Sequence, residues 1–218
     1  MYLIIYLITI RYYIKYIIRG KIMKKITILL FTISLLVSTS FAASVPKSPK
    51  KQTIWNLYVD AKEAGAMKKA NPNKVLFIDV RDPIELLFVG YTDVVDYNIP
   101  FKTANKNKWH SKKPIFALEV NKHFEEDIAK ALKMKNMTKD NSIIIMCRSG
   151  GSRGAPAIKL LEGHGYKSIY VVVDGFEGSK TKKGDKKGFR LKNGWKNSGQ
   201  KWTTKLDKKK MYFNNFQH

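Results

Sequence analysis

The segment MCRSGGSRGAP, from Met146 to Pro156, holds the only cysteine in 218 residues. A lone thiol cannot close an internal disulfide, and no Cys/His spacing in the chain matches a zinc site. His110, His123, His164 and His218 are scattered and read as surface or core residues. Cys147 is therefore either a small buried hydrophobe or a reactive thiol. Its neighbours favour reactivity. An apolar run precedes it, Gly150 and Gly151 permit a tight curl, and Pro156 fits the first turn of a helix. The backbone N–H groups from Arg148 to about Gly154 have few regular partners, and can form an anion-binding nest over the sulfur. The helix start adds positive potential, and Arg148 and Arg153 add charge at the mouth. This setting suits a thiolate nucleophile.

A thiol in such a turn needs a strand before it and a helix after it, and the chain supplies both repeatedly. Val75–Val80, Ser142–Met146 and Ser168–Val173 are continuous apolar runs of strand length, as expected for strands buried on both faces. Leu57–Val59, Ile115–Val120 and a weaker Val94–Ile99 are further strand candidates. Asp60 is placed to cap a helix through about Ala70, ended by Asn71-Pro72-Asn73. Asp82-Pro83 starts a short helix that stops at Gly90. Asn121 is placed to cap the helix KHFEEDIAKALKMK, with Phe124, Ile128, Ala131 and Leu132 on one face. The helix PAIKLLEG follows the cysteine loop. Phe101–Lys113, polar and lysine-rich, reads as a loop. The alternation implies an α/β fold with a mainly parallel central sheet and helices on both faces. Ligands bind beyond the carboxyl ends of such strands, where Cys147 and Asp79-Val80-Arg81 both fall.

The ends of the chain have other signatures. Met23-Lys24-Lys25, the apolar run Ile26–Val37 and Ser40-Phe41-Ala42 read as a signal peptide over residues 23–42, cleaved after Ala42. The apolar run is too short for a span of about 20 residues. Residues 1–22 read as an upstream extension from a misplaced start codon, residues 43–56 as a linker, and residues 203–218 as a basic tail. The expected location is periplasmic or secreted, with no stable membrane insertion after cleavage. The formal net charge is +24. Removing the six basic side chains of residues 1–42 leaves +18. Such charge favours anionic partners, while being compatible with simple solvated lysines. Nucleic acid is not an expected partner: the chain reads as exported, and its aromatics lie in apolar runs rather than among the lysines.

From about Val59 to Trp202 the chain resembles the rhodanese-like family. FIDVRDPIE (Phe77 to Glu85) looks like its strand-turn motif, CRSGGSR its active-site loop, HGYKSIYVVVDGFEG its closing segment, and GWKNSGQKW its final helix and tail. The resemblance is to the single-domain, exported type. It implies a rhodanese-like domain over residues 57–202 and sulfurtransfer without a cofactor, from a small anionic donor such as thiosulfate. Cys147 would carry the sulfur as a persulfide and pass it to a thiophilic acceptor, an acidic protein being one such partner. By position, Arg148, Ser149, Gly150, Gly151, Ser152 and Arg153 would line the persulfide cradle. Asp79, Arg81 and Glu85 would support the rim. Two features depart from the pattern. Arginine stands seventh in the loop, counting the cysteine, where single-domain enzymes usually have it sixth; the C-x5-R spacing occurs in phosphatase and arsenate reductase relatives. Residues 179–193 interrupt the usual short link to the last helix. Phosphoryl or arsenate chemistry, and a non-catalytic sulfur-carrier or binding module, therefore stand as alternatives.

Overall fold

Capping and apolar patterning together determine the elements. Asp60 closes a capping box with Glu63 and starts α1 (Ala61–Ala70), and Asp82 does the same with Glu85 to start α2 (Pro83–Val89). The remaining helices are α3 (Phe124–Met134) and α4 (Gly154–Lys159). The strands are β1 (Leu57–Val59), β2 (Val75–Asp79), β3 (Tyr97–Asn98), β4 (Lys102–Trp109), β5 (Phe116–Val120), β6 (Ser142–Met146) and β7 (Ser168–Val172). The computed structural model describes residues 10–12, 15–20, 43–213 and 216. The chain divides into Met1–Phe41 and Ala42–His218. In the first unit, residues 10–12 and 15–20 are helical. The expected signal peptide and its cleavage site lie outside the described residues. Among the described residues, no helix is long and apolar enough to cross a membrane.

Five strands form a wholly parallel sheet in the order β1-β7-β6-β2-β3. Alternate side chains feed two cores. Leu76, Ile78, Ile143, Ile145, Ile169 and Val171 pack with Phe124, Ile128, Ala131 and Leu132 of α3 and with Ala157 and Ile158 of α4. Val75, Phe77, Ile144, Met146 and Val172 pack with Ala61 and Ala64 of α1, Leu86 of α2 and Trp195. Helices therefore cover both faces, which explains why the central strands are apolar along most of their length. The register pairs Asp79 with Met146, so β2 and β6 end level and present Arg81 and Cys147 at one rim.

Four expectations change. Residues 102–109 are not loop: β4 pairs antiparallel with β5 in a separate two-stranded sheet. Its Lys/Asn sequence has no apolar alternation because most of the hairpin is exposed. The strand expected at Val94–Ile99 shrinks to Tyr97–Asn98. Asp96 instead turns inward, accepting from Phe77 N and pairing with Lys68 and Lys135. The final helix is a single 3-10 turn, Trp195–Asn197. The helix after the cysteine loop is regular only to Lys159. In addition, α3 takes His123 as its N-cap, and Asn121 ties the turn by accepting from His123 N and donating to Asp127 Oδ2. Residues 43–56 also reach the body of the fold, where Trp55 Nε1 donates to Tyr166 O at 3.3 Å. In the C-terminal segment, Met211 and Phe216 are buried.

Candidate active site

Cys147 follows β6 directly and is 2% exposed. Its carbonyl accepts from Phe176 N at 2.8 Å, and the Arg148 carbonyl accepts from Glu177 N at 2.8 Å. The segment after β7 is thus laced to the base of the cysteine loop. That close approach requires glycine. Gly175 has φ +64°, and a Cβ there would meet the Cys147 carbonyl oxygen at 2.4 Å. Gly150 has φ +59°, and its Cβ would meet the Val173 oxygen at 1.6 Å. Among the described residues, no hydrogen bond engages the backbone N–H groups of Arg148 to Arg153. They remain available to an anion. The following helix has only six residues, so its dipole is a smaller contribution than the sequence implies.

A cavity of about 630 Å³ opens above the sulfur. Cys147, Arg148, Ser149, Ser152 and Arg153 form one side, and Asp82 to Glu85 the opposite one. Thr103, Ala104 and Leu118 of the β4–β5 hairpin form another wall, and Arg190 a fourth. Asp82 holds the hairpin in place. Its Oδ1 accepts from Ile84 N at 3.0 Å and its Oδ2 from Ala104 N at 2.7 Å. Asp82, one of the two acids lining this wall, is therefore already engaged by two backbone donors.

The charged side chains sort into pairs. Arg153 forks onto Glu85, with Nη2 2.8 Å from Oε1 and Nη1 on Oε2. Burial alone would raise the Glu85 carboxyl, but Arg153, with Arg81 behind it, outweighs burial and holds it below its ordinary value. Burial likewise opposes the Arg153 charge, and Glu85 reverses this, so that its guanidinium lies above its ordinary value. Arg148 Nε donates to Glu177 Oε2.

Of the ten residues singled out from sequence, six line the cavity: Glu85, Cys147, Arg148, Ser149, Ser152 and Arg153. Gly150 and Gly151 shape the loop without lining it. Asp79 and Arg81 lie beneath the rim, wholly buried. Arg81 contacts both Asp79 oxygens, with Nη2 2.7 Å from Oδ2, donates to Gly90 O, and stacks 4.0 Å over Phe176. Asn98 Nδ2 binds the carbonyls of Asp79 and Arg81. This substructure fixes the β2 turn opposite the thiol. Sequence reasoning did not place Arg190, Asp82 or the hairpin wall at the cavity. The signal for Arg190 was weak, a cation at the end of a lysine-rich insertion.

A model of the rhodanese-like domain matches residues 60–182. The uncharacterized protein RP600 of Rickettsia prowazekii (strain Madrid E) is 34% identical over 131 residues, covering 60% of this chain and 84% of that protein. Among solved structures, Rv0390 from M. tuberculosis is similar with a TM-score of 0.45 at 22% identity, covering 68% of this chain and 97% of that one. A rhodanese-related protein from Thermoplasma volcanium gives a TM-score of 0.34 at 18% identity, covering 68% and 98%. With the family model spanning more than half of its length, this chain belongs to the rhodanese-like domain family.

Proposed function

We propose that the protein is an exported sulfurtransferase, periplasmic or secreted, that moves sulfane sulfur from an anionic donor such as thiosulfate to a thiophilic acceptor. The observation that carries this reading is the position of Cys147, recessed at the floor of a cationic cavity and followed by backbone N–H groups without partners among the described residues. The Cys147 thiolate attacks the outer sulfur of thiosulfate. A Cys147 S–S bond forms, the donor S–S bond breaks, and its electron pair leaves with sulfite. The persulfide sulfur extends into the cavity, where the loop N–H groups are positioned to stabilise its charge. A thiolate or cyanide then takes the outer sulfur and returns Cys147 as thiolate. Neither step needs a proton transfer.

Two contacts favour sulfur over phosphate or arsenate. A C-x5-R phosphatase needs its arginine fork free for an oxyanion, but here the Arg153 fork is on Glu85. It also benefits from a proton donor, worth about 10²–10⁴ in rate, while both oxygens of the wall acid Asp82 accept backbone N–H bonds. A non-catalytic binding module would show no turnover. Intact mass after incubation with thiosulfate, with aryl phosphate hydrolysis in parallel, separates these readings. A gain of one sulfur, lost in Cys147→Ser, with little hydrolysis, is the expected result.

A further inference from the structure

The insertion at residues 179–193 is a small folded unit rather than a plain solvated loop. Thr181 N donates to Phe189 O and Gly188 N to Thr181 O, and Lys180 bridges to Arg190. Its base is clamped. Asn197 Nδ2 donates to the carbonyls of Glu177, Arg190 and Asn193, and Ser179 N donates to Asn193 Oδ1 at 2.8 Å. Lys182, Lys183, Lys186 and Lys187 stay exposed at the far end, while Arg190 at the clamped base lines the Cys147 cavity.

Arg190 is unlike the other two cavity arginines. Arg148 and Arg153 each hold a carboxylate. Among the described residues, no carboxylate lies within ion-pair distance of Arg190. Its Nη1 donates to the Gly178 carbonyl, and its Nε is buried with no partner. Burial, followed by the Arg148 charge, draws its guanidinium below its ordinary value. A guanidinium that lines the cavity with a donor unused and no carboxylate beside it favours an anionic partner. A sulfonate oxygen would supply both the acceptor and the counter-charge.

We propose that Arg190, on the insertion, is the donor-binding cation of this cavity and engages the sulfonate end of a donor such as thiosulfate. This rests on the sulfurtransfer reading of Cys147. It gives the insertion a role, since position 190 lies beyond the residues that match the family model. The sulfonate leaves as sulfite or a sulfinate, so Arg190 also steadies the charge of the leaving group.

The test has two independent readouts. In Cys147→Ser protein, which cannot form a persulfide, thiosulfate binding is measured by calorimetry with and without Arg190→Gln. In protein that retains Cys147, the thiosulfate concentration for half-maximal persulfide formation is measured by intact mass. Arg190→Gln is expected to weaken both by about tenfold or more, as for loss of a charged hydrogen bond. Arg190→Lys, which keeps charge but not the fork, should fall between, and Lys182→Gln/Lys186→Gln should match the parent. Unchanged thiosulfate binding and half-saturation in Arg190→Gln would overturn the proposal, as would no thiosulfate binding to Cys147→Ser at millimolar concentrations. If the parent gains no sulfur but binds thiosulfate through Arg190, the anion site stands and the sulfurtransfer reading fails.

Discussion

The Arg153 guanidinium and the Glu85 carboxylate close the cysteine loop against the start of α2, Nη2 lying 2.8 Å from Oε1. The two residues are 68 positions apart, and the pair joins the loop after β6 to the loop after β2. Glu85 Oε2 also accepts from Asp82 N at 3.1 Å. One carboxylate thus completes a helix cap and anchors the cysteine loop.

Glu85→Gln should destabilise the fold by about 1–3 kcal/mol near neutral pH, since Arg153 loses its counter-charge in a site only partly open to water. The pH dependence has a definite sign. The folded Glu85 carboxyl lies below its ordinary 4.5, so its contribution is present above that value and is lost as pH falls through the lowered one. Urea midpoints of parent and variant should differ at pH 7 and converge as pH falls through the lowered value.

Beneath the rim, Asp79→Asn should cost about 3–5 kcal/mol, because it leaves Arg81 charged and wholly buried without its partner. Urea unfolding reads this directly. A shift of less than about 1 kcal/mol would mean that Gly90 O and Phe176 are sufficient for Arg81.

Two adjacent glycines make a paired test of loop shape. Gly150→Ala places a methyl group where the Val173 carbonyl already lies, whereas a Cβ on Gly151 meets nothing closer than 3.6 Å. Gly150→Ala should lose most sulfur loading from thiosulfate while Gly151→Ala retains it. Equal loading in both would mean that the loop is not held in this curl.

Much of this site is legible before any coordinates. β2, β6 and β7 announce themselves because a parallel strand covered on both faces reads as a near-continuous apolar run. The cysteine loop shows in its glycines. Other features leave no local trace. β4 has no apolar alternation, and its Lys/Asn-rich sequence reads as loop, although backbone bonds, the Trp109–Phe116 ring contact and the Lys108–Glu119 ion pair join it to β5. The Arg153–Glu85 and Arg148–Glu177 pairs join distant positions, and a sequence scan can name both arginines and Glu85 but not which carboxylate each arginine meets. Arg190 hides among lysines of similar charge, and only the fold, which sets it at the clamped base of the insertion beside the Cys147 cavity, distinguishes it.

Export is tested by processing. The basic start at Met23, the apolar core and Ser40-Phe41-Ala42 predict that protein recovered from its native host begins at or next to Ala43. Terminal mass spectrometry of the exported form reads this, and an intact Met1 or Met23 would contradict it.

The most direct test of the account is the intact mass of the protein after incubation with thiosulfate and removal of excess donor. The account predicts a gain of one sulfur located on Cys147, reversed by cyanide with release of thiocyanate, and absent in Cys147→Ser. An unchanged mass together with robust hydrolysis of an aryl phosphate would contradict it.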